Sequence, residues 1–252
     1  MCTLALYFQV FDDWPVVIAA NRDEFFDRPA LAPRKLAEQP EIVGGLDLKA
    51  GGTWLGINQY GMVAGLLNRR SVQAPNPKPR SRGLLCLDAL KETTPSKAAW
   101  MVSRQRPQLY NPFNLLLVSP QEAFVCFLSK GRIETVRLEP GFHMLTNLDV
   151  DDFECPRISR AYRRFAALEC FCGDPTKLGE LLADHEGFDP ALPRSSALCV
   201  HLETYGTRSS SIIAIGRELA NACHYFADGP PCRAPFEPAP LPRFEARVSK
   251  EI

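Results

Sequence analysis

The first residue able to do covalent chemistry is Cys2, directly after the initiator methionine. Methionine is normally trimmed when the next residue is small, and cysteine is small. Trimming would leave Cys2 with a free α-amino group of ordinary pKa about 7.7–8.0, beside a thiol of about 8.5. Base and nucleophile then sit on one residue, which is the N-terminal-nucleophile route to activation and needs no histidine. The four histidines form no convincing dyad with Cys2. His201 and His224 fall within strand-like runs and read as structural residues, with a ligand role left open.

Supporting groups follow closely. An apolar run at 3–11, a turn at 12–15 and a second apolar run at 16–20 end in Asn21-Arg22-Asp23-Glu24. If the runs pair as a hairpin, Cys2 lies near Arg22 and Asp23. A guanidinium favours the thiolate, and a carboxylate can hold the ammonium or orient the amine. Neighbouring strand residues point to opposite faces, so only one of Arg22 and Asp23 should reach Cys2 directly unless a bulge intervenes. Asn68, Asn147 and Arg208 each close or open a strand. Asparagine amides beside a nucleophile could form an oxyanion hole, although each alone reads more simply as a turn or cap. Arg208 reads equally well as a surface ion pair. The basic, proline-rich segment 71–82 reads first as a solvated connector and second as a flap over a site.

The elements that must position these groups are short. Apolar and β-branched runs at 4–11, 16–20, 113–118, 123–128, 133–138, 142–146, 197–202, 209–216 and 223–228 predict strands. The clearest hairpin joins 53–58 to 62–68 through 59–61. Helices are predicted over 83–90, 96–105, 157–171 and 176–185, the third with apolar residues at helical spacing. Residues 25–39 read as an irregular excursion, and Gly44-Gly45 and Gly51-Gly52 as brackets of another loop. Beyond 229 the chain is punctuated by proline, with only 243–248 able to add an edge strand. Strands, a helical pair, strands, a helical pair and strands again argue an α+β fold of two antiparallel sheets under helical layers, in one domain spanning 1–252 with a proline-rich tail from 229.

Bulk properties exclude several classes. Lys plus Arg and Asp plus Glu are 29 each in 252 residues, and 46% of residues are hydrophobic. No electrostatic footprint for nucleic acid is expected. No apolar run approaches the roughly 20 residues of a membrane span, and no signal peptide is evident. Nine cysteines without a framework suggest free thiols in a reducing compartment, so a cytoplasmic protein is expected. Cys126, Cys199 and Cys223 read as core. Cys170 and Cys172 lack the spacing of a zinc knuckle, and neither a metal nor a cofactor is expected.

The motifs Met1-Cys2, Ala20-Asn21-Arg22-Asp23-Glu24-Phe25, Arg28-Pro29, Gly51-Gly52-Thr53-Trp54-Leu55-Gly56, Leu145-Thr146-Asn147 and Tyr205-Gly206-Thr207-Arg208 together resemble the NRDE family, the transport-and-Golgi-organisation protein 2 group. Their order matches from residue 1 to about 215. The resemblance implies a four-layer αββα sandwich, the N-terminal-nucleophile hydrolase fold, and is similar at a greater distance to choloylglycine hydrolases and penicillin acylases. Carried over, Cys2 is nucleophile and base, Arg22 and Asp23 its supporting pair, Asn68 and Asn147 the oxyanion groups and Arg208 a late pocket arginine. The acylases space the arginine and aspartate apart, whereas here they adjoin. Members have been linked to secretory organisation, mitochondrial lipid metabolism and intracellular haem movement. Two functions are therefore expected: an amidohydrolase or acyltransferase acting through Cys2 on an acyl amide or thioester, or a carrier of a hydrophobic ligand such as haem or acyl-coenzyme A. A scaffold protein is a third, blander expectation.

Overall fold

A computed structural model describes residues 2–71, 76, 79–187 and 197–245. The first part of the chain forms β1 (Thr3–Phe8), β2 (Val16–Phe25), β3 (Ala30–Glu38), β4 (Glu41–Asp47), β5 (Leu55–Asn58) and β6 (Val63–Asn68). Helices α1 (Arg82–Ala89) and α2 (Pro95–Ser103) follow, then β7 (Phe113–Ser119), β8 (Glu122–Ser129), β9 (Arg132–Leu138) and β10 (Gly141–Leu145). Helices α3 (Pro156–Ala166) and α4 (Thr176–Leu182) precede β11 (Tyr205–Ile215), β12 (Cys223–Ala227) and β13 (Glu237–Pro238). One antiparallel sheet has the order β10-β1-β2-β11-β12-β13 and the other β3-β4-β5-β6-β7-β8-β9.

The side-chain period of two explains the layers. In β1, Leu4, Leu6 and Phe8 join residues of β5, β6 and β7 in a core between the sheets. The intervening Ala5 and Tyr7 face the other way and pack with Ile158 and Phe165 of α3 and Leu178 of α4. The second sheet does the same, its outer face meeting Leu85 of α1 and Val102 of α2. Both faces of each sheet are thus covered, and the order of layers is helix, sheet, sheet, helix. The α+β expectation and the four-layer αββα sandwich both hold.

Several boundaries differ from expectation. Residues 25–39 are not irregular, because β3 occupies most of them. Pro33 is tolerated there because β3 is an edge strand with register shifts between Leu31 and Arg34 and between Lys35 and Ala37. Gly44 and Gly45 lie inside β4 rather than in a loop. They are there for close approach: a Cβ at Gly44 would meet the Leu55 carbonyl oxygen at 2.6 Å, and one at Gly45 would meet the Trp54 ring at 2.3 Å. Strand β2 runs past the apolar stretch 16–20 and takes in the whole Asn21-Arg22-Asp23-Glu24 tetrapeptide, ending at Phe25. Residues 197–202 form no strand, only an isolated bridge from His201 to Gly206. Helices α3 and α4 stop earlier than the predicted 171 and 185. The predicted 243–248 strand lies partly outside the described residues, and so does much of 71–82.

Candidate active site

Hairpin β1–β2 pairs Thr3 with Asn21, so Cys2 lies level with Arg22, one residue beyond the last paired position. On its other side β1 pairs with β10, Leu4 opposite Leu145. The same register carried two residues on sets 147 level with Cys2. The partly buried thiol of Cys2 donates to the Asp23 carbonyl at 3.6 Å. It opens into a cleft of about 650 Å³ that is also lined by Arg22, Asp23, Trp54, Asn68 and Arg82.

Within the tetrapeptide the alternation of β2 divides the labour. Asn21 is buried and its amide donates to the carbonyls of Leu182 and Leu198, each at 2.9 Å. It therefore ties the end of α4 to the segment before β11. Arg22 turns towards the cleft, its guanidinium 4.3 Å from the centre of the Trp54 ring and 3.9 Å from Asp47. The Asp23 carboxylate goes the other way, accepting from Thr207 Oγ1 at 2.7 Å and from Arg157 of α3 at 3.2 Å. Only its backbone carbonyl meets the Cys2 thiol. Glu24 returns to the cleft side, 3.7 Å from Arg28.

Electrostatics in the cleft compete. Burial pushes the Cys2 thiol up, and the Asp23 carboxylate adds to that, while the Asp23 carbonyl contact and the Arg22 charge oppose it. Burial likewise lowers Arg22, against the negative charges of Cys2, Glu24 and Asp47. Arg82 is lowered by burial and by its neighbour Arg28. Its guanidinium is held by the Pro112 carbonyl at 2.7 Å. A thiolate at Cys2 would offset the positive charge gathered around it.

The remaining candidates divide. Asn68 ends β6 and lines the cleft. Asn147 follows β10, and its backbone carbonyl accepts from Arg70 N–H at 2.8 Å. Its loop is anchored by the Asn114 amide, which donates to Thr146 and Leu148 carbonyls at 3.0 and 2.6 Å. Arg208 stands at a bulge in β11 and donates to the Phe26 carbonyl at 2.7 Å. It is not among the residues lining the cleft. Arg157 and Asn114 are not among the expected site residues, Thr207 is expected only as part of a motif, and Arg82 only as the end of a connector or flap. Asn114 carried a signal, a lone amide inside an apolar strand. Arg82 lay at the end of the basic segment 71–82, whose last residues line the cleft.

A model of the family described as Transport and Golgi organisation 2 matches residues 1–226. The chain belongs to this family. The Transport and Golgi organization protein 2 homolog of Bos taurus is 30% identical over 248 residues, 84% of this chain and 88% of the bovine one. The mouse homolog is 29% identical over 245 residues, 84% of this chain and 88% of its own. Among solved structures, the Caenorhabditis elegans ortholog of N-acylethanolamine-hydrolyzing acid amidase superposes with a TM-score of 0.56 at 15% identity, covering 84% of this chain and 92% of that one. Penicillin V acylase from Agrobacterium tumefaciens gives 0.53 at 13% identity, with 90% and 83% covered. This family member thus has the N-terminal-nucleophile hydrolase fold. No helix among the described residues is long and apolar enough to cross a membrane.

Proposed function

We propose that this family member is a cysteine N-terminal-nucleophile amidohydrolase or acyltransferase, acting on an acyl amide or thioester. The observation that carries the reading is Cys2 at the wall of the cleft, level with Arg22 on one side and residue 147 on the other. Once Met1 is removed, the Cys2 amine takes the thiol proton and the sulfur attacks the carbonyl carbon. The Asn68 amide, in the cleft lining, and the Asn147 amide, level with Cys2 in register but outside that lining, are the donors this reading assigns to the tetrahedral oxyanion. Collapse breaks the C–N or C–S bond, the leaving group takes the proton from the Cys2 ammonium, and an acyl thioester remains on Cys2. Water or an amine then releases the acyl group. Arg22, Arg28, Lys49, Arg80 and Arg82 line the same cleft with Asp23, Glu24 and Asp47, an excess of positive charge that suits a substrate with an anionic end.

Incubating the trimmed protein with acyl-amide and thioester probes and weighing it intact tests this. An acyl mass on the N-terminal peptide, absent in Cys2→Ala, is expected. No adduct, or one that survives Cys2→Ala, would overturn it. The same cationic lining favours a second reading, a carrier of haem or acyl-coenzyme A. Saturable binding unchanged in Cys2→Ala, with no adduct, would select the carrier.

A further inference from the structure

A second cluster of reactive side chains lies apart from the cleft. His185 follows α4, Cys199 and His201 sit in the segment leading to β11, and Cys232 lies in the turn beyond β12. Their ligand atoms all fall within 4.8 Å of one another. We propose that His185, Cys199, His201 and Cys232 bind one zinc-class transition-metal ion as a closed, structural Cys2His2 site.

The distances carry the assignment. A tetrahedral zinc centre with Zn–S near 2.3 Å and Zn–N near 2.0–2.1 Å has edges of about 3.8 Å between sulfurs, about 3.5 Å from sulfur to nitrogen and about 3.3 Å between nitrogens. Here Cys199 Sγ and Cys232 Sγ are 3.7 Å apart. His201 Nε2 is 3.4 Å from Cys199 Sγ and 3.2 Å from Cys232 Sγ. His185 Nε2 is 3.1 Å from His201 Nε2. Hydrogen bonding does not account for this set, because His201 Nε2 has one proton or one lone pair to offer and three close neighbours. A disulfide does not account for it either, since a sulfur–sulfur bond is about 2.05 Å. Two thiolates would neutralise a dication, and an S2N2 donor set of this shape selects zinc over harder metals. Four protein ligands leave no open position, so the role is structural.

The cluster also has something to hold. The Cys199 N–H donates to the Asp184 carbonyl at 2.9 Å, joining it to the His185 segment. The next residue, Val200, donates to Thr207 Oγ1 at 2.9 Å, and Thr207 Oγ1 donates to Asp23. A metal here would pin the segment that orients Thr207 against Asp23. Sequence spacing conceals the set, because ligands at 185, 199, 201 and 232 match no short motif.

The test uses the full-length untagged chain, purified without chelator. Elemental analysis is expected to find about one zinc per chain, and replacement by Co(II) to give thiolate-to-cobalt charge-transfer absorption with the intense visible bands of tetrahedral coordination. Cys232→Ser, and His185→Ala combined with it, should reduce bound zinc below about a tenth of an equivalent. Should either variant fail to fold by circular dichroism, the cobalt spectrum of the unaltered chain decides alone. Zinc below about a tenth of an equivalent with no cobalt charge-transfer band, or a Cys199–Cys232 disulfide by mass, would overturn the site. Unchanged metal content in both folded variants would do the same.

Discussion

Arg22 holds its charge against the Trp54 face and beside Cys2, so a change at 22 is read out at the sulfur. Removing the guanidinium takes away the positive charge that favours the thiolate, while the desolvation that raises the thiol stays. We expect Arg22→Gln to slow alkylation of Cys2 by iodoacetamide roughly five- to tenfold at fixed neutral pH, and to move its pH profile to the alkaline side. An unchanged profile would separate Arg22 from the thiol. Asp23 differs in kind. Its carboxylate is fully buried against Arg157, which is 1% exposed, and such a pair is costly to break from one side. We therefore read Asp23 as a residue that holds the strand end in place, touching Cys2 through its backbone carbonyl while its carboxylate acts on the thiol only through its charge.

At the scale of elements, two adjacent glycines separate two physical reasons for glycine. Gly51 adopts φ +71° with nothing within 4 Å of a would-be Cβ, so it serves a left-handed turn. A Cβ at Gly52 would lie 2.1 Å from the backbone of Gly83 in α1. That backbone cannot move without carrying Arg82 with it. Gly51→Ala is expected to cost about 1 kcal/mol through backbone strain alone. Gly52→Ala should cost about 1–3 kcal/mol by overpacking and should also slow Cys2 labelling. Urea denaturation and the alkylation rate, measured on both variants, check this. Equal labelling rates would mean that α1 does not shape the cleft.

At the scale of the whole molecule, two of the four histidines, His224 and His143, respond to pH in opposite directions. Burial pushes His224 down to about 4, against the Pro240 carbonyl that its ring approaches at 3.1 Å. Its Nε2 is buried and has no hydrogen-bond partner among the described residues. A depressed folded value means the unfolded chain takes up the proton first. Stability from the neutral ring is therefore present above about pH 6.5 and lost as pH falls towards 4, by roughly 3 kcal/mol at most. His143 runs the other way. Burial lowers it, but Asp151 at 2.7 Å and the Glu139 carbonyl outweigh that and leave it raised. Its contribution is full below the ordinary imidazole value and fades as pH rises through the raised one. We expect His224→Phe to flatten the loss of urea stability between about pH 6.5 and about pH 4.5. Parallel curves for variant and parent would refute the assignment.

Residue types and local spacing determined the secondary elements and the site's first contact. Apolar period and turn residues separate strands from helices, and a hairpin whose paired residues lie 8 to 18 apart is a local event, so Cys2 beside Arg22 was legible at once. The same patterns misled where proline and glycine met tertiary demand. Pro33 fits a bulged edge strand, and Gly44 and Gly45 clear space inside a strand. Only the tertiary structure decided that Asp23 turns away to Arg157, 134 residues on, that Arg82 reaches the cleft, and that two histidines and two cysteines converge beyond α4. Such juxtapositions depend on how two sheets stack and which helix covers which face. An apolar period says only that a face is buried, and leaves unsaid what it is buried against.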